Sequence, residues 1–343
     1  MHLPLKNKKS AMLNFPIKTI FISGLLFFNL SVDAQHIQLK KQLYLHDSLG
    51  WDYLSVDTIG HRIFSSHANQ VLVIDGKTDS IIKKIPNTLG VHGISFNHKK
   101  HLFYTSNGKA NSVYAFDTHS YQLVDTVNVS GINPDAILYD RYSNKLFTFN
   151  GKSNDATVID PETFKVISKI PLPGKPEFAV TDLRGNIYVN IETLNSILHI
   201  SAKTYQVLHT WKIEPGEEPT GLAIDIKNNL LYSVCSNAKM IVFDIYSGKI
   251  KEVLETGLKT DAVVFNPKKQ QIYVSNGQGT LQVFQQKSNL SYTLVETIIT
   301  QKGCKTMTFD SYTNKIYIPA AQLEGDTKRI LNSSFEIRVY HLD

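Results

Sequence analysis

The chain is expected to fold as an all-β, seven-bladed β-propeller whose last blade is closed by its own N-terminal strand. Three observations carry that expectation. A short strand pattern recurs seven times at nearly constant spacing, each copy repeats the same order of strands, and the seventh copy ends one strand short. Residues 35–343 are read as a single propeller domain, and residues 1–34 as a separate leader.

The recurring pattern reads Asp52-Tyr-Leu-Ser-Val-Asp57, His92-Gly-Ile-Ser-Phe-Asn97, Asp135-Ala-Ile-Leu-Tyr-Asp140 and Glu177-Phe-Ala-Val-Thr-Asp182. It continues as Thr220-Gly-Leu-Ala-Ile-Asp225, Asp261-Ala-Val-Val-Phe-Asn266 and Lys305-Thr-Met-Thr-Phe-Asp310. The starts lie 40, 43, 42, 43, 41 and 44 residues apart, the period of a four-stranded blade. Within each copy a turn leads to an aromatic-centred second strand such as Gln271-Ile-Tyr-Val-Ser-Asn276. A third strand such as Val113-Tyr-Ala-Phe-Asp117 and a fourth such as Lys165-Val-Ile-Ser-Lys-Ile170 follow. These runs are rich in β-branched and aromatic residues and are bounded by Gly, Asn, Asp and Pro, which marks strands and turns. After Lys305 only three strands remain, ending in Phe335-Glu-Ile-Arg-Val-Tyr-His341. The missing fourth is Leu39-Lys-Lys-Gln-Leu-Tyr-Leu45, directly before the first copy. Pairing the two removes an edge that would otherwise template aggregation.

The leader has a different chemistry. Lys6, Lys8, Lys9 and Lys18 precede the apolar run Ile20–Leu30, and Val32-Asp-Ala34 ends it with small residues. A basic head, a short apolar middle and a small-residue cut site form an export signal, so the protein is expected in the periplasm or outside the cell. About eleven apolar residues are too few to span a bilayer, and no longer run follows, so no transmembrane segment is expected in the mature chain. Removing four Lys and one Asp lowers the net charge from +6 to +3, which is weak attraction for a polyanion. Cys235 and Cys304 are the two cysteines. Two cysteines make no disulfide framework, and no His/Cys spacing for a metal is present, so no metal ligand and no cofactor are assigned.

Tyr273-Val-Ser-Asn276, with weaker copies at Tyr188-Val-Asn190 and Tyr317-Ile-Pro319, resembles the repeat of the YVTN family of exported seven-bladed propellers, including the YncE-like group. Pro134-Asp135 and Pro176-Glu177 are similar to that family's repeat ends. The resemblance implies the fold and export. It leaves the activity open: YncE-like proteins bind single-stranded DNA, the architecture also resembles seven-bladed lactonases and the heavy chain of quinone-dependent amine dehydrogenases, and a propeller hosts many functions.

The repeats act as an internal control. The acids ending the first strand (Asp57, Asp140, Asp182, Asp225, Asp310) and the third (Asp75, Asp117, Asp160, Asp244) recur across blades and are read as turn caps. Two rings are expected to face one mouth of the central channel. The first is Asp52, His92, Asp135, Glu177, Thr220, Asp261 and Lys305; the second is His67, Asn107, Asn150, Ile191, Cys235, Asn276 and Ala320. In blade seven the long segment 320–334, with Glu324, Asp326, Lys328 and Arg329, is expected to lie beside that mouth. The candidate ligand-binding residues are therefore Asp52, His67, His92, Asp135, Glu177, Asp261, Lys305 and Arg329. The expected function is binding of a small molecule, glycan or protein at the mouth. A lactonase-like hydrolase using Glu177, a histidine and Arg329 is the alternative. Four acidic side chains in the first ring argue against nucleic acid.

Overall fold

The computed structural model describes residues 1–2, 37–288, 290–325, 327, 329–331 and 333–342. The expected export signal lies, apart from its first two residues, outside that set. The chain divides into Met1–Ala34 and Gln35–Asp343, and the second unit is described below. Among the described residues no helix is long and apolar enough to cross a membrane.

The described residues form seven four-stranded antiparallel sheets. Six run in chain order from inner to outer strand. The seventh takes Thr308–Asp310, Lys315–Ala320 and Glu336–Leu342 from the C-terminus and Ile37–Tyr44 from the N-terminus. The N-terminal strand pairs antiparallel with Glu336–Leu342, from Ile37 opposite Leu342 to Tyr44 opposite Glu336. Seven blades closed by the N-terminal strand are thus the fold. The first strand of blade seven is shorter than its sequence pattern, beginning at Thr308 rather than Lys305.

The core is a ring of wedges, because each blade buries its apolar faces against the two neighbouring blades. Blades three and four share a cluster around Phe147, Phe149, Val189 and Leu198, and blades one and two share one around Phe64, Phe103 and Phe116. The N-terminal strand serves two wedges, with Ile37 between blades six and seven and Leu43 between blades seven and one. The recurring acids behave as turn caps. Asp57 accepts the amides of Ile59 and Gly60, and Asp75 those of Lys77 and Thr78; Asp117, Asp160, Asp225 and Asp244 do the same in their own turns. The YVTN-like residues are scaffold as well. Tyr273 is fully buried and its hydroxyl donates to Gln271 Oε1 at 2.8 Å.

One backbone device positions the site. In six blades the pairing of first and second strands slips at the mouth end. Trp51 faces His67 but the next pair is Leu54–Ser65; Val91–Asn107 is followed by Ile94–Thr105, and Pro134–Asn150 by Ile137–Thr148. The same slip occurs after Pro176, Pro219 and Thr260. A β-bulge re-aims the side chains it frees. The freed positions are 52–53, 92–93, 135–136, 177–178, 220–221 and 261, which include six of the seven first-ring residues. Their backbone groups are satisfied locally, with Asp52 N–H donating to Ser66 Oγ at 3.0 Å and Gly93 N–H to Ser106 Oγ at 2.9 Å.

Candidate functional site

The bulges collect unlike charged groups at one end of the channel. Asp52 Oδ2 lies 2.6 Å from His92 Nδ1, and Asp135 Oδ1 lies 3.9 Å from the same nitrogen. Across the ring Lys305 Nζ donates to Asp261 Oδ2 at 2.6 Å. Lys175 pairs with Glu177 Oε1 at 2.6 Å and also with Glu192. Five carboxylates thus meet two ammonium groups and one imidazole.

Beneath them two aromatic rings meet, with a cavity of about 80 Å³ beside them. Tyr53 of blade one and Phe178 of blade four, on opposite sides of the ring, meet with ring centroids 5.4 Å apart. The equivalent column in the other blades holds the smaller residues Gly93, Ala136, Gly221, Ala262 and Thr306. At Gly221 a Cβ would fall 2.5 Å from the Asp261 carbonyl, so the bulge there requires glycine. The mouth is therefore a cup floored by two aromatic rings. Beside it a cavity of about 460 Å³ runs past Trp51, Asp52, Lys259, Lys302 and Lys305 to Leu323 and Ile330 of the long blade-seven segment. That segment is itself folded back, with Leu323 and Ile330 bridged and Glu324 N–H donating to the Arg329 carbonyl at 2.9 Å.

Crowding of like charge dominates the electrostatics. Burial, then the charge of Asp52, pushes the Asp135 carboxyl well above the usual carboxylate range; His92 and Lys175 oppose this only in part. Burial and Asp135 do the same to Glu177, against its bond to Lys175. Burial also raises Asp261, against Lys305. For His92 burial disfavours the charged ring, but the hydrogen bond to Asp52 and the charges of Asp135 and Asp52 outweigh it and raise the ring to about 9. Burial raises the Tyr53 hydroxyl too, followed by Asp135, Asp52, Glu177 and Asp261, which places it among the same carboxylates.

A pH dependence of stability follows. The ring of His92 titrates near 6.5 in an unfolded chain. Its contribution is therefore complete below about pH 6.5 and lost as pH climbs through 9. Asp135 and Glu177 act in the same sense, because the folded chain keeps carboxyl protons that the unfolded chain has already released. In chelator the melting temperature is expected to fall between pH 6 and pH 9. His92→Gln should remove on the order of 2 kcal/mol of that difference, after allowing for water at a quarter-exposed ring. A flat wild-type profile over this range would contradict the assignment.

Not every candidate joins the cup. Asp52, His92, Asp135 and Glu177 come together, with Asp261 and Lys305 across the ring. His67 is fully buried, its Nε2 lies 2.9 Å from Asp47 Oδ2, and its ring stacks on Phe335 at 4.1 Å. Burial pushes it below the ordinary histidine value, and it offers no face to a ligand. The whole second ring shares that fate, since His67, Asn107, Asn150, Ile191, Cys235, Asn276 and Ala320 are all fully buried. Their role is internal: Asn150 donates to Asp155 and Thr157, and Asn276 accepts from Gly257 N–H and Thr260. Arg329 is 77% exposed and pairs with Glu324 at 3.1 Å. Asp326 and Lys328 lie outside the described residues. Both cysteines are free and buried. The residues that sequence reasoning missed are Tyr53, Phe178, Lys175 and Glu192.

No protein-family model matches the chain, and no curated protein matches it in sequence. Among solved structures it is similar to the WD40 repeats of RRP9, with a TM-score of 0.75 over 90% of this chain and 100% of that one. The identity is 9%, so the likeness concerns the propeller fold alone.

Proposed function

We propose that this protein is an exported binding propeller that seats a small polar ligand in the cup and the adjoining cavity. One observation carries the reading: repeated bulges aim unlike charged side chains from several blades into one mouth. A scaffold needs seven equivalent caps; it has no need of Asp52, His92, Glu177 and Lys305 at equivalent places. A cavity of about 460 Å³ has the size of ordinary small-molecule sites, and its wall combines Trp51 with Asp52 and the lysines Lys259, Lys302 and Lys305. Such a lining suits a sugar or a zwitterion, with stacking on the indole and hydrogen bonds to charged groups. The basic and apolar N-terminal segment supports export to the periplasm or beyond, and the YVTN-like residues support kinship with exported propellers.

The test is ligand binding by the mature chain, screened with sugars, amino acids and polyamines and read by Trp51 fluorescence in a Trp211→Phe background. A ligand that binds is expected to lose at least about tenfold in affinity in Asp52→Asn and in Lys305→Met, because each leaves a charged partner unpaired. Binding indifferent to both changes overturns the reading. Lactone hydrolysis is a second use of the same mouth, favoured by the raised Glu177 carboxyl, which suits a general acid near neutral pH. Turnover of a sugar lactone that vanishes in Glu177→Gln would select it over simple binding.

A further inference from the structure

We propose that Asp52, His92 and Asp135, the acidic side of the cup, form a site for one divalent first-row cation, Zn²⁺ or Mn²⁺. The inference deepens the mouth reading and rests on it. Ligand atoms of these three side chains, from blades one, two and three, lie within 4.8 Å of one another. One imidazole and two carboxylates are a mixed nitrogen and oxygen set, and the mouth side leaves room for water to complete the coordination.

Three observations point to a cation here. First, Asp135 Oδ1 faces His92 Nδ1 at 3.9 Å, yet it is buried and has no hydrogen-bond donor among the described residues. Its side chain is only 14% exposed. A buried carboxylate oxygen without a donor is costly, and a metal ion is the partner its position lacks. Second, the ring of His92 is oriented as a ligand would be. Nδ1 faces the two carboxylates, while Asn133 hydrogen-bonds the ring from the other side. Nε2 sits against Gly108, where a Cβ would lie 2.6 Å from it and 2.7 Å from Asn133 Oδ1. An outer acceptor that holds the second ring N–H fixes the tautomer in which Nδ1 carries the lone pair. Third, Lys175 pairs with Glu177 and Glu192, and Lys305 with Asp261. Among the described residues His92 is the basic group paired directly with Asp52 and Asp135, while Lys175 and Lys305 act on them only through their charge. A bound ion would take the place of the proton now shared by Nδ1 and Asp52 Oδ2 at 2.6 Å. The two ligand atoms would separate by a few tenths of an ångström to the roughly 3 Å spacing set by metal–ligand bonds of about 2.0–2.2 Å.

The experiment is calorimetric titration of the chelator-stripped chain with ZnCl₂ and with MnCl₂ alone, MgCl₂ and CaCl₂ serving as comparators. Saturable binding of one equivalent of Zn²⁺ or Mn²⁺ is expected, weakened about 10- to 100-fold in His92→Gln and in Asp135→Asn. Asp261→Asn should bind like wild type. Should His92→Gln fail to fold, Asp52→Asn provides the same test with the ring retained. No saturable binding by millimolar metal, or binding unchanged in these variants, overturns the proposal. The organic ligand screen run in chelator separates the two ideas. Ligand binding without any metal binding sinks the metal site and leaves the mouth reading standing. Metal binding at the triad with no ligand bound, stripped or loaded, upholds the metal site and removes the organic ligand.

Discussion

Deleting residues 37–45 is expected to abolish the folded ring. The strand Ile37–Tyr44 supplies the outer edge of blade seven and pairs with Glu336–Leu342 along its length. It also places Ile37 in the wedge between blades six and seven and Leu43 in the wedge between seven and one. Each of these side chains contributes roughly 1.5–3 kcal/mol by burial. Both are lost together with the ladder, against a total stability of about 5–15 kcal/mol. The deletion further exposes Glu336–Leu342 as an unpaired edge, which promotes association between chains. The deleted protein should elute as aggregate and lose its cooperative melting transition. A synthetic peptide of residues 37–45 should restore part of that transition by adding the strand in trans. Point changes give a finer contrast. Leu43→Asp, in the buried wedge, should destabilise severely, whereas Leu39→Asp, on the exposed face, should cost less than about 1 kcal/mol. A monomeric deletion protein with an unchanged melting temperature would refute the closure.

The closure was legible because it rests on counting. Seven first strands and only six fourth strands leave one place to fill, and the N-terminal run had no other partner. The first ring was legible for a related reason: where blades disagree at an equivalent position, packing alone cannot be choosing the residue. Two parts of the mouth escaped. Tyr53 and Phe178 sit one position beyond the ring, where an ordinary strand would turn them away from it, and the bulges bring them to the axis. The signal was present, since five blades carry Gly, Ala or Thr in that column and two carry large aromatics. Lys175 precedes the first strand of blade four and Glu192 follows the second, and no period relates them. The second ring was expected to face the mouth, and the structure buries all seven of its side chains. The asparagine amides are spent inside their own blades, Asn107 on the Ser112 carbonyl, Asn150 on Asp155 and Thr157, and Asn276 on Thr280 and Gln282.

Asp79→Asn is expected to destabilise the protein by about 3–5 kcal/mol, a fall in melting temperature on the order of 10 °C. Lys315, in the second strand of blade seven, is buried, and its ammonium group reaches into the turn of blade one. It donates to both Asp79 carboxylate oxygens, at 2.9 and 2.8 Å, and to the Gly76 carbonyl at 3.0 Å. The Tyr317 hydroxyl adds a further bond to Asp79 Oδ1 at 2.7 Å. The side chains of Lys315 and Asp79 are only 7% and 10% exposed, so water cannot replace a lost partner. Asp79 holds a left-handed backbone with φ of 51°. Asparagine tolerates that conformation, so the substitution isolates the charge from the backbone. Pairing it with Lys315→Met should recover most of the loss, because removing both charges spares the uncompensated ammonium that makes the single change costly. A double variant as unstable as Asp79→Asn would mean that the loss comes from the turn rather than the charge. On the other side of blade one, Arg62 pairs with Asp57 of the same blade at 2.5 Å and donates to Tyr121 of blade two at 2.9 Å. Equivalent positions in blades two and five are leucines, Leu102 and Leu230. Blade one is thus held by polar contacts on both sides, next to the seam where the chain ends meet. An apolar wedge can accept any neighbouring blade of the right shape, whereas Lys315 has its counter-charge, among the described residues, at Asp79. The double variant should therefore regain stability while refolding with a lower yield of correctly closed monomer, measured by size-exclusion chromatography after dilution from denaturant.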